Sequence, residues 1–255
     1  MNFIQHLKGR LRQGLISLLE RRGYCVTADD YLWSGERFLT AVLAARGSLY
    51  FVQIGANNGL RNDPLHGWII RHVADVHGLV VEPLPDMFEE LTRTYQEYPS
   101  IVPVRTAIHN TAQSLTLYRV TPQAVPSDKD WMHGIASFSR EHLLNHGAPP
   151  EAIVEEEVPC MTFSALMDRH PLPRVDLLQV DTEGMDMEII RAIDFPSDRR
   201  PAIIRCEHHL SEGHTDWSQF HDFARHLHSL GYEILLERHD LLAYKPEVYL
   251  QGIRG

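Results

Sequence analysis

The stretch Phe51–Gly59, FVQIGANNG, constrains this chain more than any other. Phe51, Val52 and Ile54 make a short apolar strand that runs straight into Gly-Ala-Asn-Asn-Gly. A glycine turn directly after a strand lets a ligand approach the backbone closely. About one strand–helix unit later, Leu79, Val80 and Val81 make a second apolar strand that ends in an acid, Glu82, followed by Pro83. An acid at the tip of the next strand can hold the hydroxyls of a ribose. Together the two features describe a nucleoside site.

The glycines Gly55 and Gly59 are spaced Gly-x-x-x-Gly, not Gly-x-Gly-x-x-Gly, and no Gly-Lys-Ser/Thr follows. The phosphate-cradling signatures are therefore absent. A nucleoside without phosphates fits better, and S-adenosylmethionine is the expected cofactor.

From Tyr50 onward, strands and helices alternate, the pattern of a parallel sheet with helices on both faces. Asp63-Pro64 predicts an N-cap and first helical residue, with the helix running through Trp68, Ile69, Val73 and Val76. Asp86 with Glu89 predicts a capping arrangement, followed by a buried stripe of Phe88, Leu91 and Tyr95. A third strand is expected over 101–108 and a short one over 114–119. Residues 175–180 predict a buried strand ending in Asp181, and 202–206 another ending in Glu207. A helix over 216–230 shows Phe220, Phe223, Leu227 and Leu230 on one face, with Gly231 as its stop. Residues 233–236 and 241–244 read as a hairpin. Residues 121–159 break the rhythm with Pro122, Pro126, Pro149 and Pro150, Trp131 and His133, and hold one helical piece near 140–144. A long connection of this kind is expected to cover and select substrate. The expected organisation is an N-terminal helical extension over 1–48 and one α/β domain over 49–255.

Composition narrows the partners. A formal net charge of −10 leaves no dominant basic field to neutralise phosphates, so nucleic acid is not expected as the main partner. Cys25, Cys160 and Cys206 are scattered and form no Cys-x-x-Cys, which points to a reducing cytoplasm rather than disulfides or a zinc ribbon. No stretch is long and apolar enough to span a bilayer. Phe3, Leu7, Leu11, Leu15 and Leu18 recur at helical spacing beside Lys8, Arg10 and Arg12, a basic amphipathic helix. It is expected to pack on the domain or on a second copy in a homodimer; peripheral membrane contact is the alternative.

Ligands of open α/β sheets bind beyond the carboxyl ends of the strands. Here those ends carry Gly55-Ala56-Asn57-Asn58, Glu82, the 106–109 region, Asp181-Thr182-Glu183 and Glu207-His208-His209 in turn. A hydroxyl that accepts a methyl group must lose its proton to a positioned base. Asp181, Glu207, His208 and His209 are candidates, with His208 or Asp181 favoured. Asp181 and Glu207 could instead share a divalent ion through oxygen ligands, although metal dependence is not the favoured reading. His208, His209 and His214 lack the helical spacing of a zinc set.

These residues together resemble the FkbM family of S-adenosylmethionine-dependent methyltransferases. The carriers are FVQIGANNG, Asp63-Pro64-Leu65, GLVVEPLPDMFEEL at 78–91, Ala107-Ile108 with Asn110, and VDLLQVDTEGMDMEII at 175–190. Asp181-Thr182-Glu183-Gly184 is the most family-specific piece. The resemblance implies the class I methyltransferase form of the doubly wound sheet, mostly parallel with one antiparallel strand. It implies that Gly55, Asn57 and Gly59 border the cofactor with Glu82 on its ribose; Gln53, Ala56, Asn58, Pro83, Ala107 and Asp181 complete the expected cofactor set. Asp181 and Glu183 are placed near the reaction centre, and Glu207 and His208 join them as expected catalytic residues. Glu183 has a second reading, as the cap of a helix starting at Gly184. Many members carry an acid where this chain has Gln53. The expected activity is O-methylation of a sugar, glycan or secondary-metabolite hydroxyl. The alternatives are a nucleotide-sugar-dependent glycosyltransferase with Asp181 and Glu183 as its metal motif, or a catalytically silent cofactor-binding scaffold.

Overall fold

A computed structural model describes residues 35–254 except 62, 111–112, 122–123, 126–131, 133–135, 197–199, 209, 211–214 and 238. The expected N-terminal amphipathic helix lies outside the described residues, as do Trp131, His133, His209 and His214.

The chain lays down α1 (Gly35–Arg46), β1 (Leu49–Ile54), α2 (Pro64–Arg71), β2 (Val76–Val81), α3 (Pro85–Tyr95) and β3 (Ile101–Val104). It then leaves the main sheet through β4 (Ala107–Ile108), β5 (Ser114–Val120), β6 (Ala136–Ser137), α4 (Arg140–Asn145) and β7 (Ile153–Met161). It returns with α5 (Phe163–Arg169), β8 (Leu177–Val180), α6 (Asp186–Ala192) and β9 (Ile203–Glu207). The last elements are α7 (Trp217–Ser229), β10 (Glu233–Leu236), β11 (Asp240–Tyr244) and α8 (Pro246–Arg254).

The main sheet is seven-stranded in the order β10-β11-β9-β8-β1-β2-β3. β11 runs antiparallel to both of its neighbours, and the other pairings are parallel. The strand order reverses between β1 and β8, which opens a crevice at their carboxyl ends. Alternation along the strands splits the side chains between two faces. Val52, Ile54, Val81, Leu178, Val180 and Ile204 pack with Phe163 and Leu166 of α5, Ile189 and Ile190 of α6, and Phe220, Phe223 and Leu227 of α7. The register partners Gln53, Gln179 and Arg205 lie on the opposite face.

Local chemistry sets most element ends as expected. Asp63 accepts from Leu65 N, with Pro64 in the first turn of α2. Asp216 accepts from Ser218 N and Gln219 N at the start of α7, and Gly231 follows its end at φ +88°. Three expectations need correction. Helix α2 stops at Arg71, so Val73 sits in a turn and Val76 opens β2. Leu84, not Asp86, is the N-cap of α3, and Met87 rather than Phe88 joins Leu91 and Tyr95 in its buried stripe. The strand expected over 101–108 divides at Arg105-Thr106, because fully buried Thr106 turns its hydroxyl onto the Ala107 and Pro159 carbonyls.

Residues 121–159 are also more regular than the sequence implied. β7 pairs antiparallel with β5 from Ser114↔Pro159 to Val120↔Ile153, in a second sheet ordered β4-β7-β5-β6. One ion cluster, centred on buried Arg119, ties this sheet to the main layer. Arg119 of β5 donates to both carboxylate oxygens of Asp86 on α3 at 2.7 Å and to Glu156 at 3.1 Å. At the opposite end of the main sheet, fully buried Asp176 accepts from Tyr50 N, Arg174 and Arg46. Among the described residues no helix is long and apolar enough to cross a membrane.

Gly55, just past the end of β1, packs against the backbone just past the end of β8. Its φ is +79°, and a Cβ there would lie 1.7 Å from the Asp181 carbonyl oxygen. The glycine is therefore required by the neighbouring strand, apart from any ligand. Gly55→Ala is expected to cost on the order of 3 kcal/mol, read as a lowered urea midpoint.

Candidate active site

Five strand ends and the edge of the second sheet enclose a cavity of about 270 Å³. β1 contributes Gly55, Ala56 and Asn57; β2 contributes Glu82 and Pro83; the segment after β3 contributes Thr106, Ala107 and Ile108. β8 contributes Asp181, Thr182 and Glu183, and β9 contributes Glu207. Ala136 and Phe138 close it from the second sheet, and Gln53 and Gln179 line it from below the tips of β1 and β8.

Glu82 is buried, and its two oxygens accept from Asn57 N and Leu84 N, both at 2.9 Å. A carboxylate has about four acceptor sites, so each oxygen keeps capacity for a ligand hydroxyl. Burial pushes its pKa up to about 7. Asn57 meets it with a left-handed backbone at φ +49°.

Asp186, to which no motif in the sequence assigns a role, organises the other side. It is buried, and its Oδ1 accepts from Thr182 N at 2.8 Å and Thr182 Oγ1 at 2.6 Å. Its Oδ2 accepts from Glu207 N at 3.0 Å. One carboxylate thus joins the tips of β8 and β9 and brings Asp181 and Glu207 together. Burial and the adjacent acids hold the Asp181 carboxyl well above its usual range. Burial and the Asp181 and Glu183 charges push Glu207 up to about 10. The two acids therefore do not ionise together near neutral pH, and the proton the pair retains makes it a hydrogen-bond donor.

Glu183 does not cap a helix. Its φ is +54°, α6 begins only at Asp186, and its carboxylate turns to His142 Nε2 of α4 at 3.2 Å. Its carbonyl accepts from Ser137 Oγ at 2.9 Å. The second sheet therefore grips the Asp181–Gly184 loop at two points. Nothing in the sequence pairs residues 137 and 142 with residue 183, since the contact depends on the docking of two sheets.

Three expected site residues do not line the cavity. Asn58 closes the turn, accepting from Leu60 N and Arg61 N and donating to Glu90. Gly59 leaves room for α3, because a Cβ there would lie 2.7 Å from Leu91 and 2.8 Å from Tyr95. His208 is buried against Phe220, with Nδ1 accepting from Leu210 N and Nε2 facing the Glu237 carbonyl. That pattern requires the neutral Nε2–H tautomer and leaves the ring no lone pair for a substrate proton. Asp181 and Glu207 lie together as a metal site would need, but among the described residues no group of three or more His, Cys, Asp or Glu is arranged to hold an ion.

Glu82 generates a pH prediction. The native carboxyl keeps its proton to about pH 7, whereas an unfolded glutamate releases it near its ordinary value of 4.5. Within that window the native state binds more protons, so its stability falls as pH rises. Relative to Glu82→Gln, the cofactor-free wild type should lose about 2–3 kcal/mol of unfolding free energy between about pH 5 and about pH 8. Paired urea titrations at the two pH values measure it.

The comparisons agree in kind with this geometry. The description "Methyltransferase FkbM domain" matches residues 53–234. Among solved structures, the chain resembles precorrin-6y C5,15-methyltransferase from Geobacter metallireducens at 12% identity and a TM-score of 0.38, covering 86% of this chain and 94% of that one. A methyltransferase from Geobacter sulfurreducens is similar at 10% identity and a TM-score of 0.40 over 94% of each chain. Aeropyrum pernix fibrillarin with natively bound S-adenosyl-L-methionine is similar at 12% identity and a TM-score of 0.38, over 81% of this chain and 73% of that one. Likenesses of this size carry no functional inference. No curated protein matches the chain in sequence. The family match spans most of the chain and all five strand tips that build the cavity, and the protein belongs to the FkbM family of S-adenosylmethionine-dependent methyltransferases.

Proposed function

We propose that this protein methylates a hydroxyl oxygen of a sugar, a larger glycan or a secondary metabolite. The observation that carries the reading is the Glu183–His142 pair, where a carboxylate on the cavity wall is held at 3.2 Å by an imidazole from α4. When bound, S-adenosylmethionine supplies an electrophilic methyl group. Glu183 accepts the proton of the acceptor hydroxyl as the new C–O bond forms and the C–S bond breaks. His142 donates from Nε2 to the Glu183 carboxylate and keeps it aimed. The proton retained by the Asp181–Glu207 pair is donated in a hydrogen bond to a neighbouring oxygen of the acceptor. This mixture of donors and acceptors suits a polyhydroxylated molecule. Glu82, with spare acceptor capacity on both oxygens, suits the ribose of the cofactor.

The first test is calorimetric titration of S-adenosylmethionine, followed by labelled-methyl transfer to a panel of glycans and hydroxylated metabolites. Glu82→Ala should weaken cofactor binding at least tenfold, the equivalent of about 1.4 kcal/mol, in a variant that still folds. Glu183→Gln should leave cofactor affinity within about twofold and lower the transfer rate by about 10²–10⁴-fold. A Glu183→Gln enzyme that transfers methyl at the wild-type rate excludes Glu183 as the base.

A further inference from the structure

Trp217 is the most exposed large apolar side chain among the described residues, with 60% of its surface open to solvent. It opens α7 directly after the Asp216 cap. A helix that crosses over from a strand starts at that strand's carboxyl end, where ligands of open sheets bind. Trp217 therefore stands at the same end of the sheet as the cavity, on the β9 side. A line of aromatic rings joins it to the cavity wall. Its indole meets Phe220 edge-on, with centroids 6.0 Å apart, and Phe220 meets His208 in the same way at 6.1 Å. His208 directly follows Glu207, which lines the cavity. Two ring-to-ring steps thus separate the indole from the residue beside Glu207.

The indole is held rather than loose. Asp216 Oδ1 accepts from Ser218 N at 2.6 Å and Gln219 N at 3.1 Å, which fixes the turn that carries Trp217. The buried Phe220 ring supports it from below, and the His221 ring stands 6.0 Å away. Around it Asp216, Ser218, Gln219, His221 and Asp222 are exposed and polar. One ring among polar groups lacks the contiguous apolar patch of a protein interface. The carboxylates of Asp216 and Asp222 oppose an anionic membrane surface. A pyranose ring has the matching pattern. Its C–H face covers an aromatic ring, and its rim of hydroxyls exchanges hydrogen bonds with side chains of this kind. A fixed aromatic ring supplies such contact area at little conformational cost.

We infer that Trp217 is a stacking platform for a sugar unit of the acceptor other than the unit that is methylated, so that the substrate is an oligosaccharide or longer glycan. The inference rests on the hydroxyl-methylation reading of the cavity. The Phe220 and His208 rings lie between the indole and Glu207, so a single ring seated at Glu183 does not also cover Trp217, whereas a chain of linked rings spans both. The platform lies away from the reacting atoms and holds ground state and transition state alike. Such uniform binding lowers KM and leaves kcat unchanged.

Labelled-methyl transfer by the full-length protein tests the platform with matched acceptors: the monosaccharide and the tetrasaccharide of glucose, mannose, galactose and N-acetylglucosamine series, beside single-ring hydroxylated metabolites. For the series that is methylated, wild-type KM should fall at least about tenfold from monosaccharide to tetrasaccharide. Trp217→Ala should raise the tetrasaccharide KM about fivefold to tenfold, keep kcat within about twofold and leave the monosaccharide KM as it was. Trp217→Phe keeps an aromatic face and should recover most of the loss. Trp217 is exposed, so both variants should fold, and urea midpoints check that they do. Equal wild-type KM for the two lengths, or a Trp217→Ala effect that is the same on both, overturns the platform while sugar methylation stands. Transfer to single-ring metabolites and to no sugar overturns it while methyl transfer stands. A Trp217→Ala variant that changes the sedimenting mass and leaves the tetrasaccharide KM unchanged assigns the ring to a contact between copies and overturns it too. No transfer to any hydroxyl, from folded protein saturated with S-adenosylmethionine, removes the methylation reading and the platform with it.

Discussion

The Asp186 carboxylate is the constraint on which the rest of the site depends. It is buried, yet it spends both oxygens on the ends of two adjacent strands, Thr182 on β8 and Glu207 on β9. Strand ends leave backbone N–H groups without ladder partners, and a buried group of that kind must be satisfied somewhere. Supplying the acceptor from the first turn of α6 also places the carboxylate at the favourable end of the helix dipole. The consequence is chemical. With the two tips held together, Asp181 and Glu207 cannot both ionise cheaply, and the pair retains a proton.

The second sheet completes what the first cannot close alone. Arg119 is nearly buried and binds Asp86 in bidentate fashion, fixing β5 against α3 just beyond the Glu82 strand tip. From that anchor, β6 and α4 bring Ser137 and His142 onto the carbonyl and the carboxylate of Glu183. Glu183 holds a left-handed backbone that costs a non-glycine residue about 1–3 kcal/mol. The two contacts from the second sheet help offset that cost and hold the carboxylate on the cavity wall. The region that the sequence suggested as a substrate cover is thus in part a wall of the site.

Much of the main layer was legible because it follows from local rules. The Asp63-Pro64 cap, the Asp216 and Gly231 ends of α7 and the β10–β11 hairpin rest on neighbouring residues, and they sit where the pattern put them. The errors have physical causes as well. β7 was hidden because Glu155, Glu156 and Glu157 interrupt the apolar alternation, and the strand is largely solvent-facing in that stretch. Asp86 read as a cap because its spacing to Glu89 imitates one, whereas its partner Arg119 lies far along the chain. Asn58, Gly59 and His208 stood in the right motifs, but their side chains or their lack of one serve the turn, the packing of α3 and the β9–β10 backbone.

The sequence by itself determined the alternation of strands and helices in the main sheet, the acids and amides at the strand tips, and through its motifs the family. These are matters of period, capping chemistry and residue type, all of which are local. Only the tertiary structure decided which tip residues face the cavity, that Asp186 rather than a histidine organises the acids, and that His142 reaches Glu183. Each of those depends on strand register or on the docking of one sheet against another, where groups distant in the chain are brought together by packing.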